Sequence, residues 1–192
     1  MVRFTDVEVR DIIISILVLA VAVSGIGFIS LNGVAQRIAA VSVPLSLGFI
    51  AHELTHKYAA GKYGYISVFR MWPLGLAITL IVGLGSGGQF LFAAPGAVVI
   101  LAPYFTRRQG GLISLGGPLM NAAIAMCFLP LNLLPGLIGT IGYWGARINL
   151  WLAFFNLIPI PPLDGQKVFS WNPAIWAAIE LPLLASLIVL FL

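Results

Sequence analysis

The chain has 192 residues, of which 60% are hydrophobic and only 8% charged. Soluble domains carry about a quarter charged residues, so a surface covered mainly by water is excluded and lipid must meet much of this one domain. The net charge of +4 includes no basic cluster denser than Arg107-Arg108, which argues against nucleic acid as a partner and reads as topology signals beside membrane spans.

In chain order, residues 12–31 form the first expected span. The run is interrupted almost only by Ser and Gly and has the ~20 residues that crossing a bilayer takes. Arg3 and Arg10 precede it, as in a signal peptide, but so do Asp6, Glu8 and Asp11, which a signal n-region lacks. A retained span is therefore expected. Residues 41–60 are apolar until the last third, where His52, Glu53, His56 and Lys57 occur.

Residues 65–105 are rich in β-branched and aromatic side chains (Ile66, Val68, Phe69, Ile78, Thr79, Ile81, Val82) and broken by Gly83, Gly85, Gly87, Gly88, Pro95 and Pro103. No piece is long enough to span, so strands or a re-entrant hairpin packed on the helices are expected. Non-helical backbone at membrane depth must be buried in protein or line a wet cavity, which makes this segment a candidate wall of a site. Residues 112–134, 141–160 and 174–192 complete the spans. Cys127, the single cysteine, lies in the first of these three and reads as packing; no internal disulfide can form. The expected fold is an all-α membrane bundle of about five to six transmembrane helices, with a small β-sheet or re-entrant hairpin after the second. It forms one domain over 1–192, with core motifs in 41–168 and peripheral spans at 12–31 and 174–192. With the N-terminus in the cytosol, Arg3, Arg10, Lys57, Lys62, Arg70, Arg107, Arg108 and Lys167 fall on the cytosolic side and only Arg37 and Arg147 opposite, as the positive-inside rule requires.

The chemistry concentrates in His52-Glu53-Leu54-Thr55-His56, an HExxH pattern holding the only two histidines of the chain. On a helix, residues four apart share a face, so both imidazoles can reach one metal ion, with Glu53 beside it to handle a water. Ionisable residues inside an apolar span are costly and usually functional. A third ligand must come from elsewhere. The expected topology brings Asp164, at the end of the fourth span, to the same side of the membrane as the histidines. Pro159, Pro161 and Pro162 end that helix and Gly165 permits a tight turn. Glu180 is the alternative ligand. Asn121 and Asn156 lie in spans where an unpaired amide is costly, and each either polarises a substrate carbonyl or bonds a neighbouring helix.

Together, HELTH, Gly117-Pro118-Leu119-Met120-Asn121, and Asn156-Leu157-Ile158-Pro159 followed by Leu163-Asp164-Gly165 resemble the site-2 protease family of intramembrane metalloproteases, in order and spacing across about residues 41–168. The resemblance implies one Zn2+ held by His52, His56 and Asp164, Glu53 as catalytic carboxylate, and a small sheet near the cytosolic face whose strand edge meets the substrate. The implied partner is a membrane protein with a transmembrane helix. The basic-residue distribution and the lack of an organelle address make the expected location a prokaryotic cell membrane, multi-pass, with the N-terminus and site toward the cytosol. Gln166 stands where a second glycine is frequent in the family, and no PDZ or sensing module is expected. A metal transporter and a non-catalytic binder are the rival readings. A transporter needs polar groups along a through path, whereas here they cluster at one depth, and a binder does not need Glu53.

Overall fold

A computed structural model describes residues 4–24, 34–87, 95–102 and 104–191. Helices α1 (Asp6–Ser24) and α2 (Val34–Lys62) lead into strand β1 (Ile66–Met71), helix α3 (Pro73–Gly85) and strand β2 (Gly96–Leu101). Helix α4 (Arg107–Phe128), a 3-10 turn (Pro130–Leu133), α5 (Gly136–Leu157), the short α6 (Asp164–Trp171) and α7 (Pro173–Phe191) follow. The far end of the expected first span, residues 25–31, and the breaks at Gly88 and Pro103 lie outside the described residues.

Local chemistry explains several boundaries. Thr106 starts α4 with a capping box: its hydroxyl accepts from Gln109 N at 3.2 Å, and Gln109 Oε1 accepts from Thr106 N at 2.9 Å. Asn172 caps α7 by accepting from the amides of Ala174 and Ile175 at 3.0 and 3.1 Å. Pro73 sits at the first position of α3, where its missing N–H has no helical acceptor to lose.

Helix α3 corrects one expectation. Ile78, Thr79, Ile81 and Val82 read as strand by propensity, yet they are helical. β-Propensity reflects fit to a pleated, half-buried surface, and here the segment packs as a helix against α1. Thr79 closes its own hydroxyl onto Gly75 O at 2.8 Å, leaving no polar group bare on an apolar helix. The strands on either side do pair, antiparallel and in the register Ile66↔Leu101 to Met71↔Gly96.

Two apolar clusters flank the centre of the protein. Leu115, Ala153, Leu157, Val168 and Leu187 join α4, α5, α6 and α7, while Leu19, Leu45, Phe49, Phe69 and Leu152 join α1, α2, β1 and α5. The outside is apolar as well: Ile13, Leu17, Val43, Leu47, Ile81 and Val189 are all at least half exposed. Glu8, Asp11, Lys57, Asn121 and Asn149 are buried. Buried ionisable and amide side chains beneath an apolar exterior depart from the pattern of a water-soluble protein.

Among the described residues, two helical segments, Arg107–Leu133 and Pro173–Leu190, are long and apolar enough by length and composition to cross a membrane. That is fewer than the five or six expected. α1 opens with Asp6, Glu8, Arg10 and Asp11, and α2 carries the HExxH residues and two flanking lysines, so neither is uniformly apolar.

Candidate metal centre

Helix α2 runs through Pro44 and carries His52 and His56 one turn apart, with ring centroids 4.6 Å from each other. Each ring is fixed from behind. His56 Nδ1 lies 2.8 Å from the carbonyl oxygen of Ile113 on α4. That oxygen can only accept, so Nδ1 carries the hydrogen. His52 Nδ1 lies 2.6 Å from Asn121 Oδ1. The amide orientation of Asn121 is set by its Nδ2, which donates to Gly48 O at 3.1 Å and to Asn149 Oδ1 at 3.0 Å. Both rings therefore turn an unprotonated Nε2 toward the same point. An outer hydrogen bond that sets the tautomer and aim of a metal-binding histidine is a general feature of such sites.

Asp164 meets them there. The proline-bounded turn after α5 ends at Leu163, and Asp164 is the first residue of α6. Gly165 makes the approach possible, since a Cβ at this position would fall 1.9 Å from Leu157 O. Asp164 Oδ2 lies 3.2 Å from His52 Nε2 and 3.0 Å from His56 Nε2, and the two Nε2 atoms are 2.9 Å apart. Three lone-pair donors this close repel unless a positive charge sits among them. Two imidazoles and one carboxylate, all within 4.8 Å of one another, fit the three-protein-ligand set of a catalytic zinc site. Among the described residues they form the only such group of His, Cys, Asp or Glu.

Gly117 faces the same point from α4. A Cβ there would lie 2.5 Å from His52 Nε2 and 2.6 Å from His56 Nε2, so the missing side chain leaves the room an ion needs. Gly117→Ala is expected to fold, because the added methyl meets side-chain atoms, but to weaken divalent-metal binding by at least tenfold as the rings are pushed aside. Titration against a competing chelator measures this. Disturbing an outer-shell partner of a metal ligand costs ~10–100-fold in affinity, and crowding of the two rings belongs at least at the lower end.

Glu53, between the two histidines on α2, is buried, and its Oε2 has no hydrogen-bond partner among the described residues. Its carboxylate lies beside the backbone of Val98 on β2. A cavity of about 420 Å³ is lined by His52, Glu53, His56, Asp164 and Asn156 and, along one wall, by residues 96–100 of β2. Asn156 Nδ2 donates to Leu152 O of its own helix at 2.9 Å, which leaves its second N–H for a guest. Of the two roles open to Asn121, its bonds fit the structural one. Its oxygen and both N–H groups are engaged by His52, Gly48 and Asn149, so it holds His52 and has no hydrogen left for a substrate. Glu180, the alternative ligand, is buried in α7 and is not part of the cluster.

Sequence reasoning missed Asn149. It is completely buried and donates to Pro44 O at 3.2 Å and Gly145 O at 3.0 Å while accepting from Asn121. A polar chain thus runs from the α2 backbone through Asn149 and Asn121 to His52. Its signal was an amide within an apolar span, the same signal that flagged Asn121 and Asn156. Asn121→Ala is expected to lower metal affinity ~10–100-fold by releasing the His52 ring, and Asn149→Ala by a smaller factor because it acts one bond further out. The same chelator titration ranks them.

Among curated proteins, the chain is similar to a Methanocaldococcus jannaschii protein named "Putative zinc metalloprotease MJ0611", at 45% identity over 189 residues, covering 97% of this chain and 95% of that one. It is also similar to "Putative zinc metalloprotease YwhC" of Bacillus subtilis, at 29% identity over 154 residues, covering 67% of this chain and 66% of that one. A third relative is "Putative zinc metalloprotease Rip2" of Mycobacterium tuberculosis, at 33% identity over 139 residues, covering 62% of this chain and 51% of that one. No family model matches the chain. No solved structure matches it. The donor set and these relatives agree on zinc as the cofactor. With its three motifs converging on one pocket and a full-length relative at this identity, the chain belongs to the site-2 protease family of zinc metalloproteases.

Proposed function

We propose that this chain is an intramembrane zinc endopeptidase that hydrolyses peptide bonds in the transmembrane segments of membrane proteins. The observation that carries the reading is the sharing of one cavity by the His52–His56–Asp164 cluster, the Glu53 carboxylate and the backbone of β2. When bound, zinc supplies Lewis acidity, polarising the scissile carbonyl and lowering the pKa of an attacking water toward about 7.

The chain's own residues do the rest. His52 and His56 present neutral Nε2 atoms, held in that tautomer by Asn121 and Ile113 O, and Asp164 adds a negative charge. Glu53 takes the proton of the attacking water and passes it to the leaving amine nitrogen, the usual work of a general base turned acid. Its Oε2, which has no hydrogen-bond partner among the described residues, is the atom for that exchange. Asn156 offers its second N–H to the developing oxyanion.

A transmembrane helix hides its carbonyls in i to i−4 bonds and must unwind before it can be attacked. Each backbone group left bare in lipid costs several kcal/mol. An extended guest pairing with β2 recovers those bonds by β-augmentation. The membrane setting is supported by the apolar exterior and the two long apolar helices. In this reading α1, α2 and α5 also cross the bilayer, giving five spans, and the N-terminus and site face the cytosol. The eight-to-two distribution of basic residues supports that orientation.

The test is cleavage of a panel of single-span proteins in liposomes, with and without a zinc chelator. Chelator-sensitive cleavage inside the apolar segment is expected. Cleavage only of soluble peptides, or cleavage indifferent to chelation, would refute the proposal.

A further inference from the structure

The two edges of the β1–β2 sheet are not equivalent. In the antiparallel register Phe69 lies opposite Val98 and Met71 opposite Gly96. The amide of Phe69 donates to Glu8 Oε1 at 3.0 Å and that of Met71 to Asp11 Oδ2 at 3.4 Å. Both amides thus point away from β2, toward α1. Antiparallel pairs alternate between hydrogen-bonded and non-hydrogen-bonded, so the backbone groups of Gly96, Val98 and Ile100 point away from β1 in turn. They face the cavity, where the Glu53 carboxylate lies beside Val98.

Glu8 and Asp11 are three apart and share one face of α1. Phe69 and Met71 are two apart and share one edge of β1. The helix offset of ~4.5 Å differs from the strand offset of ~6.7 Å, and the longer reach of Glu against Asp takes up the difference. Glu8 is completely buried and every bond it makes is structural. Oε1 also accepts from Lys57 Nζ, and Oε2 accepts from Thr5 N at 2.9 Å and Thr5 Oγ1 at 3.2 Å. Lys57, itself buried, follows the metal ligand His56 directly and stands 4.6 Å above the Phe4 ring centroid. A burial this complete for an ion pair inside an apolar protein calls for a reason beyond stability, because such pairs are weak evidence for it.

We propose that Glu8 and Asp11 stand in for a third strand on the outer edge of β1, closing it to strand addition, and that Glu8 with Lys57 locks the sheet onto the metal-bearing helix, so that an extended peptide can add only to β2 beside Glu53. Open strand edges are templates for any extended chain. A sheet offering two open edges would also bind guests away from the metal. The inference rests on the protease reading for the identity of the guest. Glu8 and Asp11 are positioning residues: they touch neither guest nor metal.

Ile66 and Leu101 are register partners on the two strands and both are exposed, which gives a matched test. In the full chain, carrying Cys127→Ser and the inactivating Glu53→Gln, a single cysteine is introduced as Leu101→Cys or Ile66→Cys. Each is oxidised in liposomes against a single-span substrate with cysteines placed one at a time along its apolar segment. Disulfides are expected from Leu101→Cys and not from Ile66→Cys, because side chains directly opposite on paired strands lie ~5 Å apart. Equal yields from the two positions, or capture by Ile66→Cys alone, would overturn the proposal. In the otherwise unmodified enzyme, the conservative Glu8→Gln and Asp11→Asn are expected to raise KM several-fold with kcat and zinc content unchanged, the pattern of lost uniform binding. A fall in kcat or zinc with KM unchanged would assign the pair to plain structural support and overturn it as well. Crosslinking does not require turnover, so an unmodified enzyme that cuts nothing would sink the protease reading while the edge assignment is still read out.

Discussion

Glu53→Gln is expected to abolish cleavage while leaving zinc and fold in place. The substitution keeps the shape of the side chain and removes only its capacity to take a proton. Glu53 lies between the two histidines on α2, is not among the three clustered ligand atoms, and has an oxygen with no partner among the described residues. Positioned general acid–base groups contribute ~10²–10⁴-fold, and this one serves both the attacking water and the leaving amine, so a loss at the upper end is expected. Zinc measured by atomic absorption should stay at one per chain, because the His52–His56–Asp164 set is untouched. Wild-type cleavage by purified Glu53→Gln would remove Glu53 as the base. Parallel loss of zinc would show instead that the carboxylate helps to hold the ion.

The parts of this site that are legible in the sequence are those set by short-range geometry. Two histidines four apart on a helix share a face wherever the helix goes, and a proline-ended span followed by Asp-Gly places a carboxylate at a defined height. Once the spans are counted, His52, His56 and Asp164 fall on one side. The supporting bonds are harder to see, because they depend on how three helices rotate against one another. Asn149 carries the same compositional signal as Asn121, yet only the contact between α2 and α5 at Pro44 and Gly145 shows what it holds. The acids of α1 were visible as oddities for a signal peptide, but nothing local announces that Glu8 meets Lys57 and Phe69 about fifty and sixty residues away in sequence. The strand reading of 78–82 failed for another reason. β-Branched side chains disfavour a helix by only tenths of a kcal/mol per residue, and satisfying backbone bonds inside one apolar segment is worth far more.

Asp164→Ala is expected to empty the site. Loss of a direct ligand should exceed the ~10–100-fold effect of losing an outer-shell partner, and zinc should fall well below one per chain after dialysis. The variant also removes the negative charge that offsets two converging imidazoles, so His52 and His56 should separate or share a proton. Asp164 additionally opens α6, and an acid in a helix's first turn contributes ~0.3–1 kcal/mol through the helix dipole. That contribution is too small to unfold the bundle, so unchanged far-ultraviolet circular dichroism should accompany the zinc loss. Asp164→Asn sharpens the distinction: it keeps a hydrogen-bonding side chain at the helix start but loses the anionic donor, and should bind zinc nearly as poorly as Ala. Glu180→Gln serves as the comparison. Glu180 is buried, its Oε2 has no partner among the described residues, and it stands outside the cluster. Its replacement should leave zinc at one per chain. Full zinc in Asp164→Ala together with loss in Glu180→Gln would transfer the third ligand to α7, and would require α6 and α7 to sit differently against the metal-bearing helix.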